Sequence, residues 1–407
     1  MTTGFRPETS EQVTEAVAWA LAEEAPLEIL GQGSKRGLGR PLQTQHTLDL
    51  SGLSGITLYE PEELILRARA GTPLAEIDAA LAETGQQLAF EPMDLGPLLG
   101  GEAGAGSFGG LLACNLAGPR RIKAGSARDH FLGFEAVSGR GEAFKSGGRV
   151  VKNVTGYDLC KLLAGSYGTL AVMTEATVKV LPAPEKARTA LVFGLDDTAA
   201  VKALSQALGS AHEVSAAAHL PAAAAARSSV ALVRDAGAAV TLVRVEGTGL
   251  SVEHRCRALR ELLGGFGETE ELHSHNSMGA WDEIRDVAAL LDGAGPVWRL
   301  SVAPSEGPAL VGRLRQGLQA EAYYDWGGGL VWLALDSEEA DGGADAIRAA
   351  LGPNGGHATL IRGPESLRAQ VPVFQPQDPA KAALSAKIKG GFDPKRVLNP
   401  GRMYAGV

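Results

Sequence analysis

The stretch LGQGSKRGLG, Leu30 to Gly39, sets four glycines around Ser34, Lys35 and Arg36, directly after the apolar run LEIL (Leu27 to Leu30). Consecutive backbone N–H groups can form a concave nest for a diphosphate, provided no side chain blocks the approach. Gly31 and Gly33 supply that access, the Ser34 hydroxyl adds a donor, and Lys35 or Arg36 can supply positive charge. A unit charge pair at 4 Å is worth about 4 kcal/mol at an effective dielectric of about 20, before desolvation. The spacing G-x-G-x-x-x-G misses the dinucleotide fingerprint G-x-G-x-x-G by one residue. SKRGLGRP is also a poor helix start, whereas a Rossmann site needs its phosphate at a helix N-terminus. Taken alone, the stretch reads as well as a surface turn.

Other residue types that could do chemistry are sparse. His273 and His275 stand two apart in LHSHNSMG, which reads as a loop, with no third ligand at useful spacing, so no metal site is expected. His130 reads as a structural or surface histidine rather than a base. Arg120, Arg121 and Lys123 form a basic cluster, either a solvated face or a contact for a carboxylate or partner. Cys114, Cys160 and Cys256 lie far apart without a CxxC pair, which argues against a zinc ribbon, an iron–sulfur cluster of usual spacing, or a disulfide framework.

The elements that must position these residues follow from patterning. The 407 residues, 45% hydrophobic, are enough for two or three domains. A net charge of −9 disfavours a general role on nucleic acid or acidic membranes. The N-terminus has no apolar core of a signal peptide, no run approaches a membrane span, and a cytoplasmic protein is expected. Thr9 and Gln12 fit a capping box before Val13, Val17 and Leu21, giving a helix over 10–24. Strands are expected at 27–30, 46–50 and 56–59. In LILRARAGTP, Leu64, Leu66 and Ala68 point one way and Arg67 and Arg69 the other. Thr72 can cap a helix with Pro73 at its first position and Leu74, Ile77 and Leu81 on one face. Residues 170–182 alternate again, and PAPEKA (182–187) is the candidate linker. Residues 297–361 read βαββαβ, the split order that makes a four-stranded antiparallel sheet, and 190–273 repeat it less clearly. Side by side, the two units predict one wide sheet.

Two further glycine-rich segments, GSFGGLLACNLAGPRRIKAGSARDHFLGFEAVSGRGE (106–142) and VVKNVTGYDLCKLLAGSYGTLAVMTEATVKV (150–180), complete a pattern with the first loop. Together, over about residues 25–183, they resemble the FAD-binding domain of the vanillyl-alcohol oxidase/PCMH flavoprotein family. Within it the match is to the D-lactate dehydrogenase and glycolate oxidase branch. LNPGRMY (398–404) matches the branch's C-terminal NPGK signature, with Arg402 in place of Lys.

That resemblance implies an α+β protein: a PCMH-type FAD-binding domain of two α/β subdomains (1–183), a cap with the wide antiparallel sheet (184–382), and a C-terminal segment (383–407) returning to the flavin domain. It implies that Gly31, Gln32, Gly33, Ser34 and Lys35 bind the FAD pyrophosphate. Pro92, Asp94 and Gly96 would approach the flavin. Gly109, Gly110, Ala113 and Asn115 would line the cofactor, with Gly125, Ser126 and Arg128, then Gly168, Thr169 and Val172, and Asn399 of the signature, completing the site. The loop Gly-Ser-Lys-Arg carries no histidine, so non-covalent FAD is expected.

Catalytic members of the branch supply base and metal ligands from a cap motif HxGDGNxH, yet YDWGGGLVWLAL (324–335) contains no histidine. No catalytic residue is assigned. A chain of this kind resembles the FAD-binding subunits of glycolate oxidase complexes. The implied function is oxidation of glycolate, or another small 2-hydroxy acid, to glyoxylate, with a related flavoprotein subunit and an iron–sulfur subunit as partners. Peripheral association with the inner membrane through those partners follows from the same likeness. A stand-alone FAD-dependent oxidoreductase on another hydroxy acid, and a non-catalytic assembly subunit, are the alternatives.

Overall fold

The computed structural model describes residues 3–149, 156–336, 339–352 and 355–407. The chain divides into two units: Met1–Ala117 with Gly125–Ala183 and Pro372–Val407, and Pro184–Val371 with Gly118–Ala124. The sequence reading differs at two places: it ends the cap at 382, and it leaves 118–124 with the flavin domain.

In the first unit, β1 (Thr3–Phe5) leads into α1 (Ser10–Ala22). The Thr9 hydroxyl accepts the Gln12 N–H at 3.3 Å, as a helix cap requires. The Gln12 carboxamide turns back to Glu8 N–H at 2.7 Å, one residue outside the expected box. Val13, Ala16, Val17 and Ala20 form the buried face, while Leu21 is only half-buried. β2 (Leu27–Leu30) and β3 (His46–Asp49) join β1 in a parallel sheet ordered β1-β3-β2. A second sheet begins with β4 (Ile56–Glu60) and β5 (Ile65–Arg69). Leu64 does not join that strand; it closes a turn in the left-handed region at φ 58°. Leu66 and Ala68 are buried, and Arg67 on the other face holds Glu135 and Glu175 at 2.6 and 2.5 Å. α2 (Leu74–Glu83) has Pro73 at its cap, so Thr72 is not the capping residue; its hydroxyl donates to Arg69 O at 2.7 Å. α3 (Phe108–Cys114), β6 (Phe131–Ser138), β7 (Ala143–Gly147) and β8 (Ala171–Lys179) complete the antiparallel order β4-β5-β8-β6-β7.

The second unit is built from β9 (Lys186–Phe193), α4 (Asp197–Leu208), β10 (Ala216–Leu220), β11 (Val240–Gly247), α5 (Gly249–Leu263) and β12 (Thr269–Leu272). The same order recurs in β13 (Val297–Ser301), α7 (Gly307–Leu314), β14 (Ala320–Asp325), β15 (Leu330–Leu335), α8 (Ala344–Leu351) and β16 (His357–Arg362), after α6 (Ser274–Arg285). One eight-stranded sheet results, ordered β12-β9-β11-β10-β14-β15-β13-β16. Each half carries its strands in the order 4-1-3-2, the second half reversed. The halves meet where His219 of β10 faces Tyr324 of β14. Cys256, Leu259 and Leu263 of α5 pack on Val243, Val245 and Ala190 of the sheet, the amphipathic match expected of a helix laid on strands. Among the described residues, no helix is long and apolar enough to cross a membrane. α9 (Pro379–Phe392) returns to the first unit.

Candidate functional site

A cleft lies in the first unit, where β2 ends and the glycine loop begins; its empty space, open mouth included, is about 730 Å³. Ile29, Leu30, Gly31, Gly33, Ser34 and Lys35 form one wall, and α3 supplies Gly109, Gly110, Ala113 and Cys114. Tyr167, Gly168 and Met173 close another side, with Asn399 and Arg402 from the C-terminal segment.

The loop is shaped for close backbone approach. A Cβ on Gly31 would stand 2.0 Å from Ser107 Oγ, and Gly33 holds φ 78°, a conformation that L side chains rarely adopt. At Gly109 a Cβ would meet the Ala70 methyl at 2.8 Å. Within the loop, the backbone N–H groups of Gln32, Gly33, Ser34 and Lys35 have no protein acceptor among the described residues. Four adjacent donors without partners beside a cleft make the concavity that binds an anion.

The two cations of the loop separate. Arg36 turns onto Glu28, at 3.1 and 2.6 Å, and is not the charge for the cleft. Lys35 faces the cleft with its ammonium 3.3 Å from Ser34 Oγ. Burial pushes its pKa down, and the nearby Cys114 and Asp94 push it back up. Desolvation makes a fixed cation there a stronger anion partner than the same charge in water.

The remaining expected residues divide between the cleft's lining and its frame. Gly168 lines the cleft at φ 68°, and a Cβ there would stand 2.8 Å from Asn399 Nδ2. Asn399 ties the walls together: its Oδ1 accepts Ile29 N–H at 2.8 Å and its Nδ2 donates to Tyr167 O at 2.8 Å. Gln32 turns out of the lining and donates to Gly71 O at 3.2 Å. Pro92 and Asp94 also lie outside the lining. Asp94 accepts Gly96 N–H at 3.0 Å and Gly104 N–H at 2.6 Å, and so shapes its own loop. Asn115 ends α3 at φ 50° and accepts Arg128 N–H at 2.9 Å. At the next turn, Gly125 sits at φ 85° beside Asp129, and Ser126 forms a capping box with Asp129. Thr169 and Val172 are buried outside the lining. Of the third glycine-rich segment, residues 150–155 lie outside the described residues.

Sequence reasoning passed over Cys114, Tyr167 and Met173. Cys114 follows Gly110 by one helical turn, a spacing that puts both on one face of α3. Burial pushes its thiol pKa up, against the pull of Lys35 and Arg402. Arg402, noted only as a replacement in the signature, is buried, donates to Lys35 O at 3.3 Å and lines the cleft.

The other candidates lie apart from the cleft's lining. His130 is buried, its Nδ1 3.2 Å from Lys179 O and its ring against Phe90. His273 is the cap residue of α6 and His275 lies in its first turn, so the expected loop is a helix. Arg120, Arg121 and Lys123 group with the second unit: Arg120 grips Glu246 at 3.0 and 2.7 Å, Arg121 covers the Trp326 ring at 4.3 Å, and Lys123 meets Glu213 at 3.4 Å.

The donor set fits a dinucleotide of the flavin type: open amides and a lysine for the diphosphate, apolar and glycine surface for flat rings. Comparison with known proteins agrees. Residues 4–147 match a family described as FAD binding domain. The chain is 36% identical over 397 residues to glycolate oxidase subunit GlcE of Escherichia coli (strain K12), covering 97% of each. It is 34% identical over 179 residues to a D-lactate dehydrogenase of Archaeoglobus fulgidus, covering 44% of this chain and 38% of that one. Among solved structures, p-cresol methylhydroxylase with substrate bound superposes with a TM-score of 0.72 at 15% identity, covering 98% of this chain and 88% of that one.

Proposed function

Because the chain belongs to the glycolate oxidase subunit GlcE family, a family of FAD-linked oxidoreductases, we propose that it is the FAD-binding subunit of a glycolate (2-hydroxy acid) oxidase complex. Glycolate is the substrate and glyoxylate the product, with electrons passed to a partner. Bound in the cleft, the flavin supplies the acceptor for the hydride of a hydroxy acid. The open amides of Gln32 to Lys35 carry this reading: they have no protein acceptor among the described residues, and Gly33, Ser34 and Lys35 line the cleft where an anion can take them. They hold the diphosphate, Lys35 balances its charge, and Gly31 and Gly109 keep the approach free of side chains. The loop offers no histidine for a covalent link, so the FAD is held non-covalently.

The hydroxyl proton needs a base, and the cap stretch 324–335 has no histidine to supply one. The Tyr324 hydroxyl donates to Asp197 at 2.6 Å, Asp325 accepts Trp326 N–H at 2.7 Å, and the Trp326 indole donates to Gly118 O at 3.1 Å. We therefore assign proton abstraction to a related flavoprotein subunit, and onward electron transfer to an iron–sulfur subunit, with any contact to the inner membrane made through these partners.

The test is an absorbance scan of the purified chain, followed by glycolate addition with and without partner subunits. A flavin spectrum that bleaches only with partners supports the assignment. Bleaching in the isolated chain replaces it with a stand-alone oxidoreductase. A chain that stays colourless after FAD is added replaces it with a non-catalytic assembly subunit.

A further inference from the structure

Lys389 is 1% exposed, on α9, a helix whose other residues face solvent or lie half-buried. Its ammonium makes three hydrogen bonds: to Asp393 Oδ2 at 2.7 Å, to Thr169 O at 2.6 Å and to Leu398 O at 2.9 Å. Asp393 is itself fully used, accepting Val397 N–H at 3.0 Å and Leu398 N–H at 2.9 Å. The segment so held lies along β2: Leu27 N–H donates to Val397 O at 2.8 Å, and Asn399 N–H to Leu27 O at 3.1 Å. Thr169 follows Gly168 and Leu398 precedes Asn399, and both Gly168 and Asn399 line the cleft.

Burying an ammonium is costly, and a hydrocarbon of similar volume would fill the space more cheaply. A hydrocarbon cannot hold two carbonyls at a fixed separation. Three protons in fixed directions can, and each of the three has an acceptor here. One carbonyl belongs to the 168–169 loop and the other to the segment beside β2, so the lysine, itself outside the lining, joins two segments that line the cleft.

We propose that Lys389 is a positioning residue for the cofactor, holding Gly168 and Asn399 in place in the cleft's lining by fixing the Gly168–Thr169 loop against residues 397–399. It rests on the reading of the cleft as the FAD site. The chain of bonds continues through Asn399 to Ile29 N–H and Tyr167 O, so a slip at Lys389 moves both walls.

The experiment compares Lys389→Met, Lys389→Gln and Gly31→Val in the full chain. FAD dissociation constants are read by flavin fluorescence, well below each variant's Tm, beside the Tm itself. Lys389→Met should raise the FAD Kd about tenfold or more, the factor that about 1.4 kcal/mol represents. Lys389→Gln, which keeps a donor but no charge, should raise it less, and it carries the test if the Met variant does not fold. A residue that only stabilised the fold would lower Tm and leave the Kd of the folded protein unchanged. A wild-type Kd in the folded Lys389 variants, with FAD lost from Gly31→Val, overturns the proposal while sparing the cleft reading. FAD retained by Gly31→Val overturns the cleft reading, and this proposal with it.

Discussion

The two units treat their polar groups in opposite ways. In the first, four adjacent amides of the glycine loop have no protein acceptor among the described residues, and three of those residues, Gly33, Ser34 and the half-buried Lys35, line a cleft. In the second, the central charges are saturated: Glu246 is gripped by Arg120 at 3.0 and 2.7 Å and lies 3.6 Å from Arg244, whose guanidinium also covers the Trp281 ring at 4.9 Å. Where single side-chain nitrogens go unpaired there, as at His219 Nε2, Arg260 Nε and Arg362 Nη2, no two are neighbours in the chain, and Arg362 keeps its other nitrogens on the carbonyls of Gly295, Leu290 and Leu291. A unit whose charge clusters are paired and whose unpaired atoms stand singly is a scaffold. A unit that leaves adjacent donors open at a cavity is built to be completed by a ligand.

The largest expected effect breaks the scaffold. Arg120→Ala leaves Glu246 short of a bidentate partner in a buried site and should destabilise the second unit by about 3 kcal/mol, read by denaturant unfolding. Burial pushes the Glu246 carboxyl up, but Arg244 and Arg120 overturn that and hold it at about 2 against 4.5 in the unfolded chain. Its contribution is therefore complete above pH 4.5 and lost as pH falls toward 2. Glu246→Gln should flatten the stability profile in that window; an unchanged acid limb would show that the cluster is not the tie it is taken for.

Next in size is a change confined to the cleft. Gly31→Val puts a side chain where Ser107 Oγ already stands, and should weaken FAD binding about a hundredfold, the equivalent of about 2.8 kcal/mol. The contrast between units predicts that unfolding of the second unit stays as in the wild type, which differential scanning calorimetry of the variant reads directly.

The contrast was only partly legible in the sequence. The duplicated βαββαβ order could be read because each of its strands and helices is patterned locally, from VWRLSVA to HATLIR. The phosphate loop could be read as a candidate because glycine spacing is also local. Arg36 and Lys35 could not be told apart, since which of them faces the cleft depends on Glu28, eight residues before Arg36 on the preceding strand. Arg120 was ambiguous for a similar reason: its partner lies 126 residues away. Lys389 gave no signal, because a lysine on a helix with so exposed a surface looks solvated until Thr169, 220 residues earlier, is brought to it.

A smaller effect sharpens the electrostatic half of the cleft. Lys35→Met removes the cation but leaves the open amides, so FAD should bind about tenfold more weakly rather than be lost, with a shallower salt dependence. Because burial lowers the Lys35 pKa, wild-type affinity should be full at lower pH and fall as pH rises through that depressed value. Lys35→Met should lack this decline. A Kd titration across pH separates the two, and an identical alkaline limb in both proteins would show that Lys35 is not the cation whose loss weakens binding.

The smallest effect asks whether the cleft feels the rest of its own unit. Thr9 caps α1 at the far end of a helix whose buried face is Val13, Ala16, Val17 and Ala20, and none of these residues lines the cleft. Thr9→Ala should remove about 1 kcal/mol of stability by freeing the Gln12 N–H. If the cleft is set by its own ties, at Asn399 and Lys389, the FAD Kd of the folded variant should match the wild type although the Tm drops. A Kd that rises together with the loss of stability would mean that the open amides are held in place by the unit as a whole. The division between a self-satisfied scaffold and a locally framed cleft would then fail inside the first unit itself.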